Sequence, residues 1–338
     1  MDIWMYLKRT LKNLLPACIA FSLTMHAWGL EKVRYQLDWL PGGDKAPIYV
    51  CIEEGFAAEE GLEISIEPGK GSTQALSKLA TGVADIGSSG MGAFFTAKAN
   101  EDIPATAVMS IFNQGPHAFY ALKKHGLTNM QKVKGLRIAT SPFTSSNMYL
   151  PLVLEDAGLK ETDVKLLKVD PSTLGPMLVT GRVDGIIAWL TDVSRYTQLA
   201  ERAGKQIDIL PWADEGLMMY SATLVASDKF LKERPEAAKG FLRAFHKSLE
   251  FCKSHPERAA QAVIKQVPEL SIEDVTGPLQ DALRLIHNET TLTDGLGAME
   301  PKRVAATWQR VAQAQNLAIE SFDPESAVDR SFKPSITQ

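Results

Sequence analysis

Along this chain, apolar positions alternate with polar ones, or run without interruption, in ten short stretches that each predict a β-strand. They are Val33–Trp39, Leu62–Ile66, Ala84–Gly87, Ala107–Ile111, Ala118–Leu122, Leu136–Thr140, Val164–Val169, Val183–Trp189, Ile207–Leu210 and Ser221–Ala226. Helix-period segments lie between many of them, over Ala46–Glu59, Thr73–Thr81, Met91–Ala99, Ser145–Ala157, Leu174–Thr180 and Asp192–Ala203. Strand alternating with helix predicts crossover connections and a largely parallel sheet, the α/β class. From Lys229 the pattern turns to helix alone. Ala238, Phe241, Leu242, Phe245, Leu249 and Cys252 recur at three- and four-residue spacing on one face. Pro235 fits the first turn of that helix and Pro256 the first turn of the next. Two more helices are predicted near Ile272–Ile286 and Pro301–Gln313.

Two segments between apolar runs read as crossings between domains: Phe112-Asn113-Gln114-Gly115-Pro116 and Pro211-Trp212-Ala213-Asp214-Glu215-Gly216. They bracket a central block, so the chain is expected to leave a first lobe and return to it. The expected division is 30–113 with 218–330 for lobe 1, 114–217 for lobe 2, and a loose tail over 331–338. A cleft between two α/β lobes, where loops at the carboxyl ends of strands converge, is the expected ligand site.

The N-terminus falls outside this pattern. Lys8, Arg9 and Lys12 precede an apolar stretch from Leu14 to Ala27, and Ala27-Trp28-Gly29 places small residues where a signal peptidase reads. Residues 1–29 are therefore expected to be a secretory signal, too short in apolar length for a span. Leu15-Pro16-Ala17-Cys18 resembles a lipoprotein box, but a proline sits inside it and the apolar run continues past Cys18. Periplasmic localisation is the expectation, with lipid anchoring at Cys18 the alternative. Cys51 and Cys252 remain after cleavage; both fall on apolar helix faces and are expected in the core, with pairing as the alternative.

Composition narrows the partners. In 338 residues, 45% are apolar, 22% are charged and the formal charge is -4, which argues against nucleic acid as the main partner. The six histidines are scattered and no CxxC is present, so no metal and no cofactor are expected. Gly87-Ser88-Ser89-Gly90-Met91-Gly92 misses the G-x-S-x-G elbow, since Met91 stands where the last glycine must be. Gly69-Lys70-Gly71-Ser72 lacks the Ser or Thr that must follow a P-loop lysine. Catalysis is not expected.

The candidate binding chemistry lies in Ser- and Gly-rich turns at predicted helix starts. These are Gly69 to Thr73 (with Ser72 and Thr73), Gly87 to Gly90 (with Ser88 and Ser89, then Met91), Thr140 to Ser146 (with Ser141, Ser145 and Ser146), and Asp170 to Thr173. Free N–H groups and hydroxyls at such turns suit anionic or hydrogen-bonding groups, and plain N-capping uses the same residues. Trp39 and Trp189 each end a predicted strand, where a flat ring can stack on a planar ligand or pack in a rim. Lys45 and Asp192 follow them closely and can read ligand charge. His117 and Tyr220 follow the two crossings as hinge or rim contacts.

These residues bring a family into view. Leu37-Asp38-Trp39-Leu40-Pro41, Ala46-Pro47-Ile48-Tyr49-Val50, Gly55-Phe56, Glu60-Gly61-Leu62, Leu79 through Asp85-Ile86-Gly87, and Lys134-Gly135-Leu136-Arg137-Ile138 stand in a characteristic order. Gly181-Arg182-Val183-Asp184-Gly185, His255-Pro256-Glu257-Arg258-Ala259-Ala260 and Met299-Glu300-Pro301 continue it. The chain resembles the pyrimidine-precursor, thiamine-biosynthesis-like solute-binding proteins of ABC importers, relatives of the sulfonate, taurine and nitrate binding proteins. The resemblance implies a type II periplasmic binding protein fold and delivery of a small solute to an inner-membrane ABC permease, by a monomer. It also implies that Trp39 lies against the ligand ring and that the turns at Ser72, Ser88 and Ser145 line the cleft. Gly42 and Lys45 replace the Asn and His common in the family, which points toward an anionic ligand. The family's pyrimidine synthases use a Cys-rich run that this sequence lacks; an enzyme of that kind and a sulfonate- or nitrate-type binder are the alternatives.

Overall fold

The computed structural model describes residues 29–217 and 219–332. The expected signal segment, Cys18 and most of the expected tail lie outside the described residues.

The first five-stranded sheet has the order β2-β1-β3-β10-β4, built from β1 (Glu31–Gln36), β2 (Leu62–Glu67), β3 (Ile86–Gly90), β4 (Ala105–Ser110) and β10 (Ala222–Ser227). The second has the order β7-β6-β8-β5-β9, built from β5 (His117–Leu122), β6 (Arg137–Thr140), β7 (Lys165–Lys168), β8 (Gly185–Trp189) and β9 (Ile207–Pro211). In each, three parallel strands are followed by one antiparallel strand, β10 against β3 and β5 against β8. Those two strands are buried along their whole length, which is why they read as continuous apolar runs rather than alternating ones. The chain passes from the first sheet to the second between β4 and β5 and returns between β9 and β10. This is the two-lobed α/β architecture of a type II periplasmic binding protein.

The helices are α1 (Ala46–Glu53), α2 (Phe56–Glu59), α3 (Ser72–Ala80), α4 (Met91–Glu101), α5 (Ser146–Asp156), α6 (Leu174–Thr180), α7 (Val193–Arg202), α8 (Asp228–Glu233), α9 (Pro235–Ser254), α10 (Pro256–Gln266), α11 (Ile272–Ile286), α12 (Glu289–Asp294) and α13 (Pro301–Ala314). The apolar face predicted for α9 is buried at every named position, and Phe241 and Phe245 stack on Tyr35 of β1 with centroids 5.7 and 6.4 Å away. Cys51 and Cys252 are unpaired thiols in the same core, each pushed up to about 12 by burial. A second core crosses the lobes: Phe94 and Phe95 of α4, Tyr149 of α5, Phe119 of β5, Trp212 and Trp308 of α13 belong to one buried cluster, with Trp308 edge-on to Phe95.

Three local expectations are corrected. The single helix over Ala46–Glu59 is two, because Gly55 sits at φ +77 and reverses the chain between them. β1 ends at Gln36, so Trp39 belongs to the loop after the strand. Ser88, Ser89 and Gly90 are strand rather than turn, since β10 arrives antiparallel and pairs Ala222 with Gly90 and Thr223 with Ser89.

α11 packs against both the Gly43–Lys45 turn and the start of α7. Ser271 caps it in a reciprocal box with Asp274. Its Val275 carbonyl lies 1.9 Å from where a Cβ on Gly43 would stand, so only glycine fits there. On its other side Asp281 accepts a hydrogen bond from the Ser194 N–H at the start of α7, 2.8 Å away.

Candidate functional site

Lobe 1 supplies the cleft with a short segment after β1. Asp38 is fixed there by Ser88 of the neighbouring β3: the Asp38 N–H donates to Ser88 Oγ at 3.1 Å, and the Ser88 hydroxyl donates to Asp38 Oδ1 at 2.8 Å. A single tight turn, Gly43–Lys45, then brings Asp44 and Lys45 back toward Asp38. Lys45 Nζ lies 2.8 Å from Asp38 Oδ1 and 2.9 Å from Asp44 Oδ2, and 5.6 Å from the centre of the Trp189 ring. Burial works against the ammonium charge, but the two carboxylates outweigh it and hold Lys45 above its usual range. The expected free lysine charge for a ligand anion is thus already engaged by two carboxylates of its own lobe.

Lobe 2 supplies the facing wall from the end of β8. The Tyr120 hydroxyl donates to the Trp189 carbonyl at 2.7 Å, and the Trp189 indole N–H donates to Ser146 Oγ at 3.3 Å. Ser146 Oγ is also 2.9 Å from His117 Nδ1. Burial alone pushes His117 down to about 3, so it is a neutral ring that braces Ser146 among Tyr149, Trp189 and Trp212. The chain then turns at Asp192 into α7. Asp192 Oδ1 is 3.6 Å from Arg195 Nη1; burial, with Asp44 adding to it, pushes its carboxyl up to about 6 against the pull of Arg195 and Lys45.

Between these walls is a narrow cavity. Of the expected residues, Trp39, Lys45, Ser72, Trp189 and Asp192 line it, and Asp38, Asp44, Thr144 and Thr191 join them. Ser72 Oγ accepts the Gly90 N–H at 2.9 Å. Ser88, Ser146 and His117 stand one layer behind, orienting the lining groups. Ser145 is buried beside Gly90, its hydroxyl within 2.7 Å of where a Cβ there would lie. An adjoining cavity shares Trp39, Asp44 and Asp192 and adds Arg195.

At the mouth, the loops of the two lobes bond directly. The Thr73 N–H donates to the Phe143 carbonyl at 3.2 Å, the Ser141 hydroxyl to the Lys70 carbonyl at 2.7 Å, and Lys70 Nζ to Asp170 Oδ2 at 2.7 Å. Thr73, Ser141 and Asp170 therefore belong to a seal between lobes. Three expected residues lie elsewhere. Met91 is fully buried in the core that crosses the lobes, Ser89 is buried in β3, and Tyr220 accepts the Glu300 N–H at 2.9 Å beside a separate small cavity with Asn113 and Asp294. Asp38 and Asp44, cavity-lining groups not among the expected residues, flank Trp39 and Lys45 within one eight-residue stretch; two acids and a lysine in an otherwise apolar segment are the available signal.

The sequence pattern of the NMT1/THI5-like family matches residues 43–259, a span that includes the cavity lining from Asp44 to Asp192 but not Asp38 and Trp39. The chain belongs to this family. Among NMT1/THI5-like relatives, the formylaminopyrimidine-binding protein of Halalkalibacterium halodurans is 23% identical over 284 residues, covering 83% of this chain and 84% of that one. The 4-amino-5-hydroxymethyl-2-methylpyrimidine phosphate synthase THI13 of Saccharomyces cerevisiae is 25% identical over 251 residues, covering 71% and 73%. The alkanesulfonate-binding protein SsuA of Xanthomonas axonopodis pv. citri, solved with MOPS, superposes with a TM-score of 0.68 at 16% identity, covering 89% of this chain and 98% of that one. The fold is that of periplasmic binding proteins, and the relatives include both a binding protein and an enzyme. Among the described residues no helix is long and apolar enough to cross a membrane, and no group of three His, Cys, Asp or Glu side chains is placed to hold a metal.

Proposed function

We propose that this protein is the periplasmic solute-binding component of an ABC importer, and that its solute is a small planar ring of the thiamine-pyrimidine-precursor kind. The observation that carries this reading is that Trp39 from one lobe and Trp189 from the other line the same cavity. A ring held there contacts both lobes and so favours the closed state. Residues 30–113 with 218–330 form one moving body and 114–217 the other, residues 1–29 direct export, and a monomer hands the solute to an inner-membrane permease. The pairing of Lys45 with two carboxylates supports a ring over a sulfonate- or nitrate-type anion.

The test is a thermal-shift screen against pyrimidines, flavin precursors, sulfonates and aromatic acids, followed by titration of the best compound into the Trp39→Ala variant. Affinity should fall about tenfold or more, the equivalent of about 1.4 kcal/mol, with the melting temperature nearly unchanged. A large loss of stability with intact affinity would make Trp39 a packing residue and end this reading. The yeast synthase relative supports a second reading, an enzyme of pyrimidine-precursor synthesis; a chemically altered compound released from the protein would establish it.

A further inference from the structure

Resting on that reading of the cleft, we propose that Asp44 and Asp192, one from each lobe, form a selectivity pair that admits a ring bearing a hydrogen-bond-donating or positively charged nitrogen and resists anionic rings.

The argument is a census of charge around one cavity. Asp38, Asp44 and Asp192 line it, and Lys45 is the cation among its lining residues. Lys45 is held on lobe 1 by Asp38 and Asp44 together, at 2.8 and 2.9 Å. Arg195, in the adjoining cavity, is ion-paired with Asp192 at 3.6 Å and also faces Asp44, so three carboxylates meet two cations here. Closure therefore brings two acidic groups from opposite lobes to the same space with less positive charge than negative between them. Like charges facing each other in a partly dry cleft oppose closure. A donor nitrogen between Asp44 and Asp192 removes that opposition and ties the lobes; a sulfonate adds to it.

A proton can stand in for the nitrogen. Around Asp192 are Arg195 and Tyr196 on its own helix, Asp44 and Lys45 on the facing turn, and Tyr120 of β5. Asp281 of α11 is bonded to the neighbouring Ser194 N–H. The carboxyl is pushed up to about 6, chiefly by burial, so the closed form binds a proton more tightly than an exposed carboxyl does. Closure without ligand should then be favoured below about pH 4 and progressively opposed as pH rises through about 6.

Calorimetric titration with 4-aminopyrimidine and with benzenesulfonate at about pH 7.5 tests the pair. The wild type should bind 4-aminopyrimidine at least about tenfold more tightly, and Asp192→Asn and Asp44→Asn should each shrink that ratio. Equal or tighter binding of benzenesulfonate by the wild type, or an unchanged ratio in both variants, overturns the proposal while leaving the planar-ring reading intact. If neither ring binds, that reading loses support, and small-angle scattering of the ligand-free protein decides the pair. The wild type should contract between about pH 7.5 and 5, and Asp192→Asn should be contracted at both; a wild type of constant size overturns it.

Discussion

At the floor of the cleft Lys45 lies between Asp38 and Asp44, with side chains 7%, 2% and 11% exposed; at its mouth Lys70 reaches Asp170, with side chains 51% and 41% exposed. The distances are nearly the same, 2.7 to 2.9 Å. What differs is water. At the floor the charges have lost most of their hydration, and each depends on the others for compensation. At the mouth water compensates either partner when the other leaves. The floor triad also lies within one lobe, so it shapes a surface, whereas the mouth pair joins two lobes. Equal hydrogen-bond lengths therefore mark a dry contact within one lobe in one place and a solvated contact between lobes in the other.

The largest effect is expected from breaking the wall. Lys45→Met keeps the length of the side chain and removes its charge, leaving Asp38 and Asp44 buried without a cation. Stability should fall by about 3–5 kcal/mol at neutral pH, measured by urea unfolding. The stranded carboxylates then favour a proton in the folded state, so the deficit should shrink as pH falls toward 5. A loss below about 1 kcal/mol would mean that the triad behaves like the pair at the mouth, and the contrast drawn above would disappear.

A smaller effect, confined to closure, is expected at Gly71. Its φ of +152 is a region that only glycine occupies readily, and a Cβ there would lie 2.2 Å from the carbonyl carbon and oxygen of Phe143 on the opposite lobe. Gly71→Ala should leave each lobe folded but keep the mouth from sealing. Affinity for the best ligand of the screen should drop about tenfold, equivalent to about 1.4 kcal/mol, and the ligand-free protein should scatter as a larger particle. Unchanged affinity would show that the loops at 69–73 and 141–144 do not take part in closing.

The sequence carried the architecture well and the floor of the site poorly, for a physical reason. Strands such as β5 and β10 are buried on both faces, so their apolar runs are local and visible, and the two crossings follow from where those runs stop. The break at Gly55 is not visible locally, because the helical period continues on both sides of it. The strand character of Ser88 and Ser89 comes from β10, more than a hundred residues away, which no local pattern contains. Asp38, Asp44 and Lys45 are close in sequence, yet their meeting depends on Ser88 holding Asp38 from the adjacent strand and on α11 fitting against Gly43. A loop lysine such as Lys45 carries no local sign of its partners; only the fold shows two carboxylates already upon it.

The smallest effect is expected from Lys70→Gln, and it sharpens the contrast from the other side. The Lys70 hydrogen bond, with help from Ser172, draws the Asp170 carboxyl down to about 2, below the usual range near 3.9. A depressed carboxyl strengthens the closed state above about pH 4, and that contribution fades as pH falls toward 2. Both partners are well exposed, so the contribution is screened and should be only roughly 0.2–1 kcal/mol. Affinity in Lys70→Gln should therefore change by less than about fivefold at physiological salt, with the difference from wild type widening at low ionic strength, where exposed charges act over longer range. Titrations at two salt concentrations measure this directly. A loss as large as that from Gly71→Ala, insensitive to salt, would mean that the mouth is as dry as the floor when the lobes close and that Lys70 and Asp170 are buried by the bound solute.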